Sequence, residues 1–313
     1  MAKRQCGLAE LLTGKGMNEM IKTNNTIGGK IFDAANILFM LFLVLVTTYP
    51  FWYVICASFS NSNVFMAYDG LLWHPLSPNL RSYIAVFKNK LIYSGYANTL
   101  FIVATGLILN MILTTFAAYG LSRRNLYFKK ACTVIIVVTM FFSGGLMPFY
   151  LTVKGYGLYN SIWAVILPSA INTFNVIICR TAFESMPASL EEAAAIDGAG
   201  HLTILYKIIL PLNKAVLSVI ALYVVVAYWN SWFNANIFLT DKTKFPLQLI
   251  LREILVENQT NDMIVGVDIG DVNSVSETIK YAVIIVSTLP VLCVYPFLQK
   301  YFVKGVLVGS VKE

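Results

Sequence analysis

Six apolar stretches, none containing Asp, Glu, Lys, Arg or His, constrain this 313-residue chain more than any other feature. They run near Ala35–Ala57, Ala97–Leu121, Ala131–Val153, Ser161–Cys179, Ala215–Thr240 and Tyr281–Gln299. A helix needs roughly 20 apolar residues to cross about 30 Å of hydrocarbon, and each stretch is close to that length. Only 12% of the residues are charged, against about 25% in an average soluble domain. The expected fold class is therefore all-α: a polytopic membrane protein with six transmembrane helices.

Lys and Arg accumulate on the cytoplasmic side of membrane proteins. With the N-terminus inside, the inner segments hold 15 of the 23 Lys and Arg, while the 16 acidic residues divide evenly. The net charge of +7 then sits on the inner side, with Arg123, Arg124, Lys129 and Lys130 as its sharpest cluster. Both termini are expected in the cytoplasm. The layout is an N-terminal segment (1–34), a six-helix membrane domain (35–300) and a cytoplasmic tail (301–313). Residues 186–211 form an inner loop, and 58–96 and 241–278 form outer loops. The basic balance reports topology and gives no support to a nucleic-acid partner. The polar first 30 residues show no secretory leader pattern. The five cysteines (Cys6, Cys56, Cys132, Cys179, Cys293) have neither metal nor disulfide spacing and are expected as small buried thiols.

Charge-free spans also bear on energy supply. Ion-coupled carriers commonly place ionisable residues within the membrane, where they are costly and functional. An ion-coupled secondary transporter remains an alternative, disfavoured by that inventory. A membrane-embedded enzyme would need paired carboxylates or a metal cluster near one face. The acidic outer loop (Glu253, Glu257, Asp262, Asp268, Asp271, Glu277) offers no compact constellation of that kind. The chain also lacks a G-x-x-x-x-G-K-[ST] phosphate-binding loop. A transporter without its own fuel site needs a partner that has one.

The loop at 186–211 carries the most specific pattern. Pro187 suits a first helical turn, and Ser189 with Glu192 fits an S-x-x-E capping box. Ala193, Ala194 and Ala195 continue the helix with little bulk. Asp197-Gly198 breaks it, and a second amphipathic stretch from Leu202 to Leu210 runs into Pro211. A face of small residues lets another protein approach closely; an interfacial hairpin without a partner is the plainer alternative.

Glu192-Ala193-Ala194, Asp197-Gly198-Ala199 and Ile208 to Leu210-Pro211 resemble the EAA loop of ABC importer permeases. The resemblance implies a coupling helix seated in a cleft of a nucleotide-binding subunit. Phe142 to Tyr150, Gly157 to Ser161 and Tyr228 to Asn234 are similar to permeases of the carbohydrate-uptake class, in the polysaccharide or lipoprotein-type branch. The tail, Tyr301 to Gly305 and Gly309 to Glu313, resembles the C-terminus of the maltose-type subunit, which reaches between two ATPases. The implied partners are a second, homologous permease subunit, two ABC ATPase subunits, an extracellular solute-binding lipoprotein, membrane lipid and an oligosaccharide substrate. By the same resemblance the chain is a non-catalytic subunit with no cofactor of its own, and ATP and Mg are held by the partner ATPase.

Trp229, Asn230, Trp232, Phe233, Asn234 and Asn236 crowd the end of the fifth stretch, and Asn172 and Asn175 lie in the fourth. On one continuous helix Trp229 and Phe233 share a face, and Asn230 and Asn234 share the next. Aromatic faces beside amides suit a sugar. Interfacial aromatics and amides bonded between helices explain the same residues without substrate. In the maltose relative, sugar contacts come mainly from the other permease. Gly144-Gly145 with Pro148 permits close helix approach or a local break, and close packing is the expected use. Loop 241–278 either faces the solute-binding protein or is plain solvated chain. His74 and His201 receive no role.

Overall fold

The computed structural model describes residues 27–123, 126–256 and 277–293, which contain helices and no strand. The first 26 residues, residues 257–276 (with four of the six acidic positions above) and the C-terminal tail lie outside the described residues, as does Cys6.

α1 (Ile27–Ser58) is apolar on all sides, and only Cys56, Ala57 and Ser58 in its last turn are buried. Such a helix has no face that picks out a core, so in the isolated chain it lies against the rest only at that end. The short α2 (Ser62–Met66) and α3 (Arg81–Lys88) lead to α4 (Lys90–Ser122), the central helix. Along α4 the buried residues Gly95, Thr99, Ile102, Gly106, Asn110, Thr114 and Ala118 recur every three or four positions. They form one seam of small and hydroxyl side chains, while Leu100, Phe101 and Ile108 face outward. Small residues let other backbones come close. A Cβ on Gly106 would meet the Tyr228 ring at 2.5 Å.

The third stretch is not one span. α5 (Lys129–Phe141) stops before the glycines, and α6 (Leu146–Gly155) restarts at an angle of 109°. Gly145 has φ +86°, a conformation that favours glycine. A Cβ there would meet nothing within 4 Å, and one on Gly144 only Pro148 at 3.8 Å. The pair makes a break, and the expected close packing is corrected. The fourth stretch comprises α7 (Trp163–Ser169) and α8 (Thr173–Glu184), bent by 43°. Asn172 caps α8 by accepting from the Asn175 amide. The loop forms α9 (Ala188–Ile196) and α10 (His201–Leu212), and α11 (Lys214–Trp229) departs from α10 at 84°. The fifth stretch breaks at Asn230-Ser231 before α12 (Trp232–Phe238).

The outer segment after α12 is packed chain. Its helix α13 (Leu247–Val256) buries Leu247, Leu249, Ile250 and Ile254. Thr99 Oγ1 on α4 accepts from the Leu247 amide at 2.8 Å, which anchors its first turn. α14 (277–293) occupies the start of the sixth stretch. Among the described residues, α1 and α4 are long and apolar enough to cross a membrane unaided, and three bent pairs raise the number of such candidates to five. Cys56 and Cys179 are buried as expected, but Cys132 is half-buried and Cys293 exposed.

Candidate functional site

Two places bring the expected residues together: the α9–α10 loop and a cavity beside the breaks in the fourth and fifth stretches.

The expected capping box is absent from the loop. Pro187 is extended (ψ 129°) and occupies the N-cap, so helix begins at Ala188 and Ser189 already lies inside it. A residue with helical dihedrals cannot serve as N-cap. The carboxylate of the first turn, Glu191, instead pairs with Arg123. The other end follows expectation. Gly198, at φ +82°, donates to Ala195 O at 3.0 Å, and Ala199 donates to Ala194 O at 2.9 Å. This pair of bonds is the Schellman stop, which needs a left-handed residue at the position Gly198 fills.

α10 contains a widened turn at Leu205–Ile209, just before Pro211. Pro211 has no N–H to give the carbonyl four residues back, which favours such a distortion. Ile204, Leu205 and Ile209 enter the main core, while Leu202, Tyr206 and Lys207 face out. Asn213 secures the bend into α11 by donating to Ile209 O and Met186 Sδ, each at 2.9 Å.

Both legs of the loop are tied to the last turn of α4. The Arg123 guanidinium pairs with Glu191 and lies 4.1 Å from the centre of the Tyr119 ring. Tyr119 Oη donates to His201 O at 3.1 Å. A neighbouring cluster joins α5 to α8: Lys129 Nζ and Arg180 Nε lie 2.7 and 2.9 Å from Glu184 Oε1. Arg180 also donates to Thr133 Oγ1 at 2.8 Å. Glu192, Ala193, Asp197, Gly198 and Pro211 are exposed, whereas Ala194 and Ala199 pack partly against the core. Ile196 is 86% exposed at the turn. Arg123 entered the sequence reading as a topology charge only; nothing local marks it as the partner of Glu191, 68 residues later.

The cavity measures about 700 Å³ and is bounded by α4, α7, α8, α11 and α12. Of the seven expected pathway residues, Asn172, Asn175, Asn230, Phe233 and Asn234 line it. Trp229 and Trp232 do not. The break after α11 removes the helical register that would align Trp229 with Phe233. Trp229 is buried in the core, and its indole N–H has no partner among the described residues. Trp232 packs edge-on to Phe233 with the Arg252 guanidinium 4.8 Å from its ring centre. Asn110 and Tyr228 line the cavity and were not singled out by sequence. Their work is structural: Tyr228 Oη donates to Ile166 O at 3.0 Å, and Asn110 Nδ2 to Ser169 O at 3.3 Å. Those carbonyls lose helical partners where α7 ends, and side chains from other spans replace them.

Beyond α12, Asn160 Oδ1 accepts from the Thr240 and Asp241 amides, each at 3.2 Å. The Thr243 hydroxyl and amide donate to Asp241 and hold its carboxyl below the usual carboxylate range. Among the described residues no group of His, Cys, Asp or Glu is arranged to hold a metal ion.

Comparison with known proteins identifies the family. The chain is 41% identical over 287 residues to the polygalacturonan/rhamnogalacturonan transport system permease protein YtcP of Bacillus subtilis (strain 168), covering 90% of this chain and 99% of that one. It is 38% identical to Protein LplC of the same organism, covering 95% and 100%. A crystal structure of a bacterial ABC transporter involved in import of the acidic polysaccharide alginate contains a chain 32% identical to this one. That chain superposes with a TM-score of 0.84, covering 90% of this chain and all of that one. The main reading of an ABC permease therefore stands over its two alternatives, and the chain is a multi-pass protein of the bacterial plasma membrane. Residues 98–308 match the family described as "Binding-protein-dependent transport system inner membrane component", and this chain belongs to that family.

Proposed function

We propose that this chain is one of two permease subunits in an importer for oligosaccharides, energised by two ABC ATPases that carry the ATP and Mg. The six stretches form six spans with both termini cytoplasmic, α1 and α14 completing the set. An extracellular solute-binding lipoprotein delivers the cargo. The α9–α10 loop, with Glu192, Ala193, Ala194, Asp197, Gly198, Ala199 and Pro211, docks into an ATPase cleft. Closure of the ATPases moves the loop as a rigid body, and the spans alternate between inward- and outward-open states. Asn172, Asn175, Asn230, Phe233 and Asn234 border the pathway. Trp229 packs in the core outside that lining, and Trp232 lies against Phe233 and Arg252.

The observation that carries this reading is the doubly anchored loop. An exposed, small-residue helix ending at Gly198 is joined through Arg123 and Tyr119 to the helix at the centre of the bundle. A push on the loop therefore reaches α4 directly. Carbohydrate as cargo is supported by the polysaccharide-transport functions of the relatives and by the amide-rich cavity. The test is uptake by the purified complex in proteoliposomes with its binding protein. Uptake is expected to require ATP inside the cytoplasmic compartment and to ignore an imposed proton or sodium gradient. Uptake driven by an ion gradient in the absence of ATP overturns the proposal.

A further inference from the structure

Resting on that pathway reading, the cavity shows which part of a sugar this chain addresses. Its polar lining comes from asparagine, serine and tyrosine, and it contains no Lys, Arg, Asp, Glu or His. Most of those polar groups already have partners within the chain. Asn110 and Tyr228 hold the carbonyls of the broken fourth stretch. Asn230 Nδ2 donates to Val226 O at 2.9 Å, and Asn172 Oδ1 caps α8.

Asn175 differs. It is 5% exposed, yet its side-chain amide makes no hydrogen bond with the described residues, and it borders the cavity. Its polar atoms reach the cavity and are not sealed in the core, since Trp229 Nε1 is the single fully buried side-chain polar atom without a partner among the described residues, so the amide is open to whatever occupies the cavity. Asn234, across the cavity on α12, also has a side chain without a hydrogen bond among the described residues. Each amide offers two donors and one acceptor oxygen, which matches a hydroxyl able to give and receive. Phe174 and Phe233 supply flat apolar surface beside them. A carboxylate placed there would find no cation to offset its desolvation.

We infer that Asn175 and Asn234 form a hydroxyl-reading subsite of this subunit, which takes the uncharged ring face of a sugar and leaves any uronate carboxylate to be matched outside this chain. The geometry makes Asn175 the anchor, because the helical turn that Asn172 caps fixes its position. A site built to hydrogen-bond a hydroxyl discriminates through the cost of leaving its own polar groups unpaired.

The experiment uses the full complex in proteoliposomes with two probes, trigalacturonate and its methyl ester. They share their ring hydroxyls and differ in carboxyl charge. Asn175→Ala is expected to lower uptake of both by about tenfold, the effect of one buried neutral hydrogen bond. Asn175→Leu keeps the side-chain volume and carries the comparison if the smaller variant fails to assemble. A loss confined to the free acid would show a carboxylate at Asn175 and overturn the inference. Unchanged uptake of both probes by both variants would overturn it too, with the pathway reading left standing. Failure of the wild-type complex to move either probe while it imports a neutral oligosaccharide would overturn the claim that a uronate carboxylate is matched elsewhere, with the pathway reading left standing.

Discussion

The α9–α10 loop and the cavity are built from opposite materials. The loop is held by ions: Arg123 with Glu191, and Glu184 with Lys129 and Arg180 nearby. Those side chains keep between 17% and 30% of their surface exposed. Pairs within reach of water are individually weak and exchange partners at low cost. The cavity is held by neutral bonds, from Tyr228 to the buried Ile166 carbonyl and from Asn110 to the part-buried Ser169 carbonyl. In hydrocarbon nothing else can satisfy those carbonyls, so the bonds are expensive to break. The difference separates a lever whose contacts tolerate water and can re-form as it moves from a part that keeps its shape throughout the stroke. A transporter needs both, because a pathway that deformed with every stroke would lose its selectivity.

The sharpest way to break this comparison is at Gly198. A Cβ there meets nothing within 4 Å, so the chain itself has room for a side chain. Gly198→Ala meets only the left-handed backbone, a cost of about 1–2 kcal/mol, and should reduce uptake modestly. Gly198→Trp adds bulk where the ATPase is proposed to approach. It should insert normally, hydrolyse ATP in the assembled complex and show uptake at background. Equal uptake by the two variants would mean that the bend touches no partner.

A smaller but still large effect is expected inside the bundle. Gly106→Val places a side chain into the Tyr228 ring and should push Tyr228 Oη away from Ile166 O. Overpacking and a stranded carbonyl each cost about 1–3 kcal/mol, so a clear drop in melting temperature should accompany reduced uptake. Tyr228→Phe removes the hydroxyl alone and should destabilise less. If Gly106→Val melts like the wild type, the cavity wall is softer than the comparison requires.

How much of this could be read from sequence follows the same division. The loop is one contiguous run, and its helix, stop and second leg follow from local rules at Ala193 to Ala195, Gly198 and Pro211. Even there one local rule failed: Ser189 and Glu192 have capping-box spacing, but the extended Pro187 starts the helix two residues too early. The cavity is assembled across long separations, from Asn110, Ile166, Asn175 and Tyr228. Hydropathy counts the fourth and fifth stretches as apolar and cannot show that they break at Ala170–Asn172 and Asn230-Ser231. It was those breaks that moved Trp229 into the core and left Asn175 facing the cavity. Gly144-Gly145 allowed two readings, and only the empty space around them decided for the kink.

The smallest expected effect concerns the ion pair that gives the loop its character. Arg123 and Glu191 side chains are 20% and 28% exposed, so their interaction should be worth about 1 kcal/mol, or roughly a fivefold change in a coupled equilibrium. Arg123→Glu and Glu191→Arg should each leave the melting temperature nearly unchanged and lower ATP-driven uptake several-fold, without lowering basal hydrolysis. Arg123 also packs over Tyr119, so its substitution should cost somewhat more than that of Glu191. The double exchange restores opposite charges across the same gap, and a coupling energy of that size should reappear in the cycle. High salt should shrink it, because the pair is partly open to water. An exchange that restores nothing would mean that the loop reaches α4 through Tyr119 and His201 alone, and the ionic end would then resemble the neutral cavity more than its charges suggest.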